Sequence, residues 1–473
     1  MTPLLGIAAT EAKVVFRTGL LQPLCLSLGL LLVISSWLGA QRIETLQSEV
    51  EAAGLADREI WIHQGEDNPH AAAHFSRYAF KPVPALAVFD AGVLDTSGAA
   101  IWMEGHYQNP AQFRLVEDSS LTKIGLNLTP ANVLSAFGSL LLILTLAASV
   151  AGEREDRTFR QLLVIGVSPR AIIFGKTLPA LLMVCLIILA SALIVAVPMM
   201  ILELRPMPDA SARLLMLIAI YGLFFVTVAG VAIGVSSLLK DRRSAYGTLI
   251  GGWAVIAVIG PLLAGEWVVT VHPDPDGAAT YQRVDDASKE YFHDSEARED
   301  VLQAALETHG VTEKAGLPFR YDGYELQHAE EVAHPKFEAI YGSVRATYAN
   351  QERLLSVFSA FLPTLALADI SSGLAGTDRH HHERFADAAE QHRRKIVKQL
   401  NDSLAFGDLG HEGRYTVGRE VWETIPDFDT APPRFVTLAS HYSTSFAILC
   451  IQAFLAVVFA MVGISLAARE ALS

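Results

Sequence analysis

The 473-residue chain is 51% hydrophobic, has a positive mean hydropathy of +0.34 and carries a formal net charge of −14 at pH 7. The apolar excess excludes an ordinary soluble protein, and the acidic balance excludes a nucleic-acid binder, which needs a basic surface. All three cysteines (Cys25, Cys185 and Cys450) lie inside apolar runs, so disulfides and thiolate metal sites elsewhere in the chain are excluded too.

In chain order, residues 5–18 predict a short amphipathic helix on the inner membrane surface, with a frayed start to the first span as the competing account. Six apolar runs follow, at 20–40, 132–151, 178–202, 214–239, 246–270 and 444–468. Each has the roughly 20 residues needed to cross a hydrocarbon core of about 30 Å. The first run is too long for a cleaved signal peptide, and its exit at Leu38-Gly39-Ala40 lacks the small-x-small pattern, so it reads as an uncleaved anchor.

Lysine and arginine set the orientation. Lys13 and Arg17 precede the first span. Arg154, Arg157, Arg160, Arg170 and Lys176 follow the second, Lys240, Arg242 and Arg243 follow the fourth, and Arg469 follows the last. Six spans put all of these on one side. The expectation is a multi-pass membrane protein with both termini cytoplasmic. The two long insertions then face outward, with net charges of −6 over 41–130 and −12 over 271–441.

The expected fold class is mainly α: a polytopic membrane protein with six transmembrane helices and two extracytoplasmic insertions, the second largely helical. The boundaries run as follows. Residues 1–40 hold the interfacial helix and first span, and 41–130 the first extracytoplasmic domain. Residues 131–270 hold spans two to five with a cytoplasmic loop at 152–177. The second extracytoplasmic domain is 271–441, and 442–473 holds the last span and a short tail. Within the insertions, 284–309, 322–353 and 377–405 have helical apolar spacing. Residues 354–374 are long enough to cross a bilayer. Pro363, Asp369 and the misplaced Arg469 that a seventh span would produce argue instead for a helix at the membrane surface or packed into the outer domain.

The loop 152–177 ends in Gly175-Lys176-Thr177, which matches the tail of a phosphate-binding loop. Such a loop needs glycine five residues before the final Gly-Lys, and that residue is Arg170. Any ATP is therefore bound by another polypeptide. The loop resembles instead the segment between the second and third spans of ABC-2-type transporter permeases. The residues that carry the likeness are Glu153, Glu155, Thr158, Leu162, Leu163, Gly166, Val167, Ser168, Pro169, Gly175 and Lys176. The runs "NPHAAAHFSRYAFKP" (68–82), "MEGHYQN" (103–109) and "LAGTDRHHHERFADAAEQHRR" (374–394) resemble a bacterial subfamily of these permeases with a large extracytoplasmic domain of unknown function.

The resemblance implies the transmembrane subunit of an ATP-binding cassette exporter, without a nucleotide site or catalysis of its own. It implies partners as well: an ATPase subunit that carries ATP and magnesium, and a second permease copy or paralogue. Membrane lipids and an envelope or periplasmic partner complete the expected surroundings. Glu153, Arg154, Glu155, Arg157, Thr158 and Arg160 are the residues expected to couple to the ATPase, with Leu162, Leu163, Ile172, Ile173 and Phe174 holding the hairpin to the core. A solvated turn obeying the positive-inside rule is the plainer account. It explains the arginines but not the acids beside them.

All 15 histidines fall in the two insertions. Neither His382-Glu383 nor His411-Glu412 is followed by the histidine that a zinc-protease helix requires, and His328 and His334 are six apart, on different helix faces. His380-His381-His382 reads as structural, and no metal site is assigned. No Gly-x-Ser-x-Gly elbow is present. Asp274 and Asp276 read as a proline-rich exit turn rather than a cation site. The span cores lack lysine, arginine, aspartate and histidine, which argues against an ion pump. Two functions remain: an exporter of a hydrophobic or amphipathic molecule, and a mechanical transmitter that drives an envelope partner without passing cargo.

Overall fold

The computed structural model describes residues 3–17, 19, 21–75, 77–114, 128–409 and 414–472. His411 and Glu412 lie outside them. The fold is mainly α, as expected, and the described residues include six helices long and apolar enough to cross a membrane. These are α2 (Leu21–Ile62), α4 (Pro130–Glu155), α6 (Pro169–Ile201), α7 (Ala210–Leu238), α8 (Arg242–Val271) and α15 (Ser443–Leu472). The helix α1 (Pro3–Arg17) precedes them and packs along α6. Gly19, at φ +66°, separates α1 from α2, so α1 is a helix in its own right rather than a frayed start to the first span.

Packing in the span bundle follows residue size. Along α7, Gly230 and Gly234 stand four apart. A Cβ on Gly230 would lie 2.6 Å from the Ala456 backbone, and one on Gly234 would lie 2.2 Å from the Phe459 ring. Gly230 therefore lets α7 meet the α15 backbone directly, and Gly234 leaves room for the Phe459 ring, as small residues do between membrane helices. On α6 the large side chains Leu182, Leu186, Leu189 and Leu193 are all exposed. They line one helical face, the face lipid would cover.

The spans have two distinct ends. At one end Arg154, Lys240 and Glu470 pair, Arg242 meets Glu155 and Asp156, and Lys176 meets Glu11 and Glu153. At the other end the spans merge with a large outer domain made from both insertions. Its elements are α3 (Pro69–Phe75), β1 (Arg77–Phe80), β2 (Ala100–Met103), α9 (Gly277–His293), α10 (Ser295–His309), α11 (Tyr321–Ser359), α12 (Pro363–Ala375), α13 (Arg379–Phe406) and the short α14 (Arg419–Trp422). The strands β1 and β2 pair antiparallel, Arg77 opposite Met103.

The two insertions share one core. Trp61, at the end of α2, packs edge-on against Trp422 at 5.6 Å and donates its indole N–H to the Trp422 carbonyl at 3.0 Å. Trp422 donates in turn to the Gly65 carbonyl at 2.8 Å. Ala72, Ala73, Ile101 and Met103 from the first insertion are buried with Phe385, Ala389, Ile396 and Leu400 of α13. The 42 residues of α2 form one unbroken helix, about 63 Å long at 1.5 Å per residue, which runs from the bundle into this core.

Residues 354–374 do not form a span. The helix α11 ends at Ser359 and α12 begins at Pro363, where the fixed φ of proline suits a first helical turn. With 13 residues, α12 is too short to cross a bilayer, and it packs onto α7 and α15 at the base of the outer domain. Arg213 pins this joint. It is fully buried, and its guanidinium binds the carbonyls of Gly373 (3.2 Å), Leu374 (3.0 Å) and Pro433 (2.6 Å) and the Asp209 carboxylate (2.6 Å). Asp276 caps α9 through the Ala278 and Ala279 amides, and Asp274 accepts from Gln351, so both aspartates already have partners.

Candidate functional site

The segment between α4 and α6 is built by turn chemistry. The α4 helix opens into a turn at 147–150. There Ser236 of α7 inserts its hydroxyl into the ladder: Oγ accepts from the Val150 and Ala151 amides, both at 3.1 Å, and donates to the Ala147 carbonyl at 2.7 Å. A side chain inserted in this way satisfies the freed groups and permits a bend. Beyond the break α4 continues only to Glu155, and Arg157 at φ +64° turns the chain left-handed into α5 (Thr158–Val164).

The Gly-Val-Ser-Pro motif ends α5 and starts α6. Gly166, at φ +88°, closes α5: the Val167 amide donates to the Leu162 carbonyl (3.1 Å) and the Gly166 amide to the Leu163 carbonyl (3.0 Å). Ser168 caps α6 by accepting from the Ala171 amide at 3.2 Å, and Pro169 fills the first helical position.

The charges divide into two sets. Lys176 is buried and binds Glu153 at 2.8 Å and also Glu11 of α1, so the lysine of Gly175-Lys176-Thr177 is a strut between α1, α4 and α6. Glu153 keeps a second oxygen buried without a hydrogen-bond partner among the described residues. Arg154 donates to the Ser237 carbonyl and pairs with Glu470 at 2.5 Å. Arg242 binds Glu155 (3.1 Å) and Asp156, and its hydrogen bonds hold the Asp156 carboxyl below its ordinary pKa. Arg157, Arg160 and Arg170 are exposed and make no ion pair among the described residues. Thr158 is exposed and donates to the Glu153 carbonyl at 3.3 Å.

The structure thus brings the sequence-predicted residues together on one short hairpin but gives them different surroundings. Glu153 and Arg154 face inward, Glu155 is exposed but paired, and Arg157 and Arg160 project. Phe159, Ile172 and Ile173 are buried beneath the hairpin, and Leu162 and Leu163 are half-buried, whereas Phe174 points outward. Val164 and Ile165, at 70% and 75% exposure, form an apolar tip that the sequence reading passed over. Beside the hairpin lies a cleft of about 1010 Å³, with Leu24, Leu141, Leu144 and Thr145 on its apolar wall and Glu153 and Lys176 at its polar end.

Residues 17–303, more than half of the chain, match the family described as ABC-2 family transporter protein. The chain belongs to the ABC-2 transporter family. Residues 282–431 match a second family, Domain of unknown function (DUF3526), which falls on the helices of the outer domain. No curated protein matches the chain. The ABC-2 family places this chain as a permease subunit of an ABC transporter, a class whose members are normally non-catalytic and work with an ABC ATPase.

In the ABC-2 permease the His380–His382 run does not converge on a point. His380 stacks on His441 at 4.1 Å, and buried His381 turns its Nδ1 onto Asp378, which also accepts from Tyr442 at 2.6 Å. His328 packs on the Tyr291 ring. The histidines that do converge are His70, His74 and His106, which sequence reading did not weigh as ligands. Its only local signal is the four-residue spacing of His70 and His74, since His106 arrives through the fold.

Proposed function

We propose that this permease docks the ATP-binding cassette subunit of another chain on the hairpin 151–164. It then passes the ATP-driven closure of that subunit through the spans to the outer domain. ATP and magnesium belong to the partner. The observation that carries the reading is the sorting of charge: the acids are tied back within the permease, while Arg157, Arg160 and Arg170 face outward beside Val164 and Ile165. A partner cleft with carboxylates around an apolar socket complements this tip, and charge-assisted bonds gain strength where water is excluded. The Ser236 break gives the hairpin a bend at which it can tilt on the span.

On this reading the hairpin end is cytoplasmic and the outer domain extracytoplasmic, in a bacterial inner membrane, as the basic residues of 152–177 and 239–243 favour. A second permease copy or paralogue packs on α8, the span least covered by its own chain. Lipid covers the remaining apolar faces.

The cleft beside α2 and α4 favours export, since it offers an apolar wall with a polar end to an amphipathic molecule. The unbroken α2 and the Arg213 joint favour the second reading, mechanotransmission, because they tie the outer domain rigidly to the spans. Reconstituted permease–ATPase vesicles separate the two. ATP-dependent accumulation of an amphipathic fluorescent probe supports export. ATP-dependent protection of a Ser295→Cys label, with no probe movement, supports transmission. Permease that leaves ATPase turnover unchanged contradicts both.

A further inference from the structure

The outer domain holds a second constellation, independent of ATPase docking. His70 and His74 lie on one face of α3, one turn apart, and His106 follows β2 in a left-handed backbone conformation at φ +67°. Left-handed backbone is uncommon for a residue other than glycine and is held here from outside. The Gly105 amide donates to the Ala73 carbonyl at 2.9 Å, which fastens the loop to α3, and the His106 amide donates to the Glu330 carboxylate of α11.

The three imidazoles present Nε2 to one point. The His70–His74 and His70–His106 Nε2 separations are both 3.2 Å, and all three atoms lie within 4.8 Å of one another. Three imidazole nitrogens on one tetrahedral metal ion, at about 2.0–2.1 Å from it, stand about 3.3 Å apart.

The other face of each ring fixes which nitrogen carries the proton. His70 Nδ1 meets Asn401 Oδ1 at 2.8 Å, and His106 Nδ1 meets Glu330 Oε1 at 3.0 Å. Both oxygens are acceptors, so Nδ1 carries hydrogen in each ring. With both rings neutral, the two Nε2 lone pairs then face each other at hydrogen-bond distance with no proton between them. A shared cation removes that conflict. Glu330 is in turn locked by buried Arg393 at 3.0 Å, and Arg393 by Glu390 at 2.7 Å. A carboxylate behind a metal-bound imidazole is the usual support of a histidine metal site. His74 is exposed while His70 and His106 are half-buried, so the site opens to solvent on the His74 side.

We propose that His70, His74 and His106 bind a divalent transition-metal ion, zinc by preference, through Nε2, with a fourth position open to an outside ligand. Three imidazoles suit zinc and its first-row neighbours rather than calcium or magnesium. An open fourth position belongs to sites that exchange a water or bind a further group, whereas purely structural zinc sites are closed. The bound ion would also join α3 and the loop after β2 from the first insertion to α11 and α13 from the second.

The test uses the full-length permease, purified without a histidine tag, stripped with chelator and titrated with zinc. Elemental analysis then gives the stoichiometry. One equivalent per chain is expected. His74→Ala, at an exposed position, should weaken zinc binding at least tenfold without lowering the metal-free unfolding midpoint. Glu330→Gln should weaken it by about 10–100-fold. His309→Ala, also exposed but outside the cluster, should bind as the unaltered protein does. Zinc should raise the unfolding midpoint of the unaltered protein and leave that of His74→Ala unchanged. Substoichiometric zinc on the unaltered protein overturns the proposal, and so does His74→Ala binding as tightly as the unaltered chain.

Discussion

At the scale of single residues, buried charge is used to hold joints. Arg213 offers a planar fork to three carbonyls and one carboxylate, a geometry that lysine cannot reproduce. Arg213→Met leaves those oxygens buried without donors and should cost about 3 kcal/mol, the lower range for breaking a buried ionic contact. Arg213→Lys should recover less than half of the lost stability. Thermal unfolding in detergent checks both. Burial pushes the His382 imidazole down to about 3, with Lys81 and Arg114 adding to the effect. Between that value and the ordinary 6.5 the unfolded chain binds a proton that the folded chain refuses. The contribution of His382 is therefore complete above pH 6.5 and is lost as pH falls below it. Asp378, held at about 2 despite its burial by hydrogen bonds from His381 and Tyr442, is charged in both the folded and the unfolded chain between pH 7 and pH 5 and adds its own slope only below that range. His382→Gln should flatten the fall of the unfolding midpoint between pH 7 and pH 5, and an unchanged slope would contradict this assignment.

Among the elements, the spans were legible and their irregularities were not. Twenty apolar residues in a row have one stable arrangement in lipid, so six runs in the sequence correspond to six long helices in the structure. Nothing local marks the break at 147–150, because the hydroxyl that stabilises it belongs to Ser236, far along the chain. Pro363 and Asp369 did signal that 354–374 would not cross. The turn at 166–169 was quoted from the sequence as part of a family likeness, and the structure gives it a physical cause in helix termination and capping. Ser236→Ala should leave two amides and a carbonyl unpaired, costing roughly 1–3 kcal/mol. Hydrogen exchange should accelerate at Val150 and Ala151 and stay unchanged at the α7–α15 contact around Gly230. Equal protection at all these sites would contradict the role given to the hydroxyl.

For the whole molecule, the outer domain is where sequence reading reached least. Its two insertions read as separate segments, yet Trp61 meets Trp422, His70 meets Asn401 and His106 meets Glu330. Contacts across more than two hundred residues leave no periodicity to detect. The same holds for the coupling hairpin: the sequence presented its acids and bases as one polar surface, and only the fold sorts them. Lys176 and Arg242 reach the acids from other helices and leave Arg157 and Arg160 projecting. Reversing Glu153 would place a cation against buried Lys176 and disturb the hairpin itself, so the arginines make the cleaner probe. The most direct measurement is the affinity and ATP turnover of the reconstituted permease–ATPase complex carrying Arg157→Glu with Arg160→Glu. With the variant's unfolding midpoint unchanged, the account predicts at least tenfold weaker association and a matching loss of permease-dependent turnover. Association and turnover equal to those of the unaltered complex would contradict it.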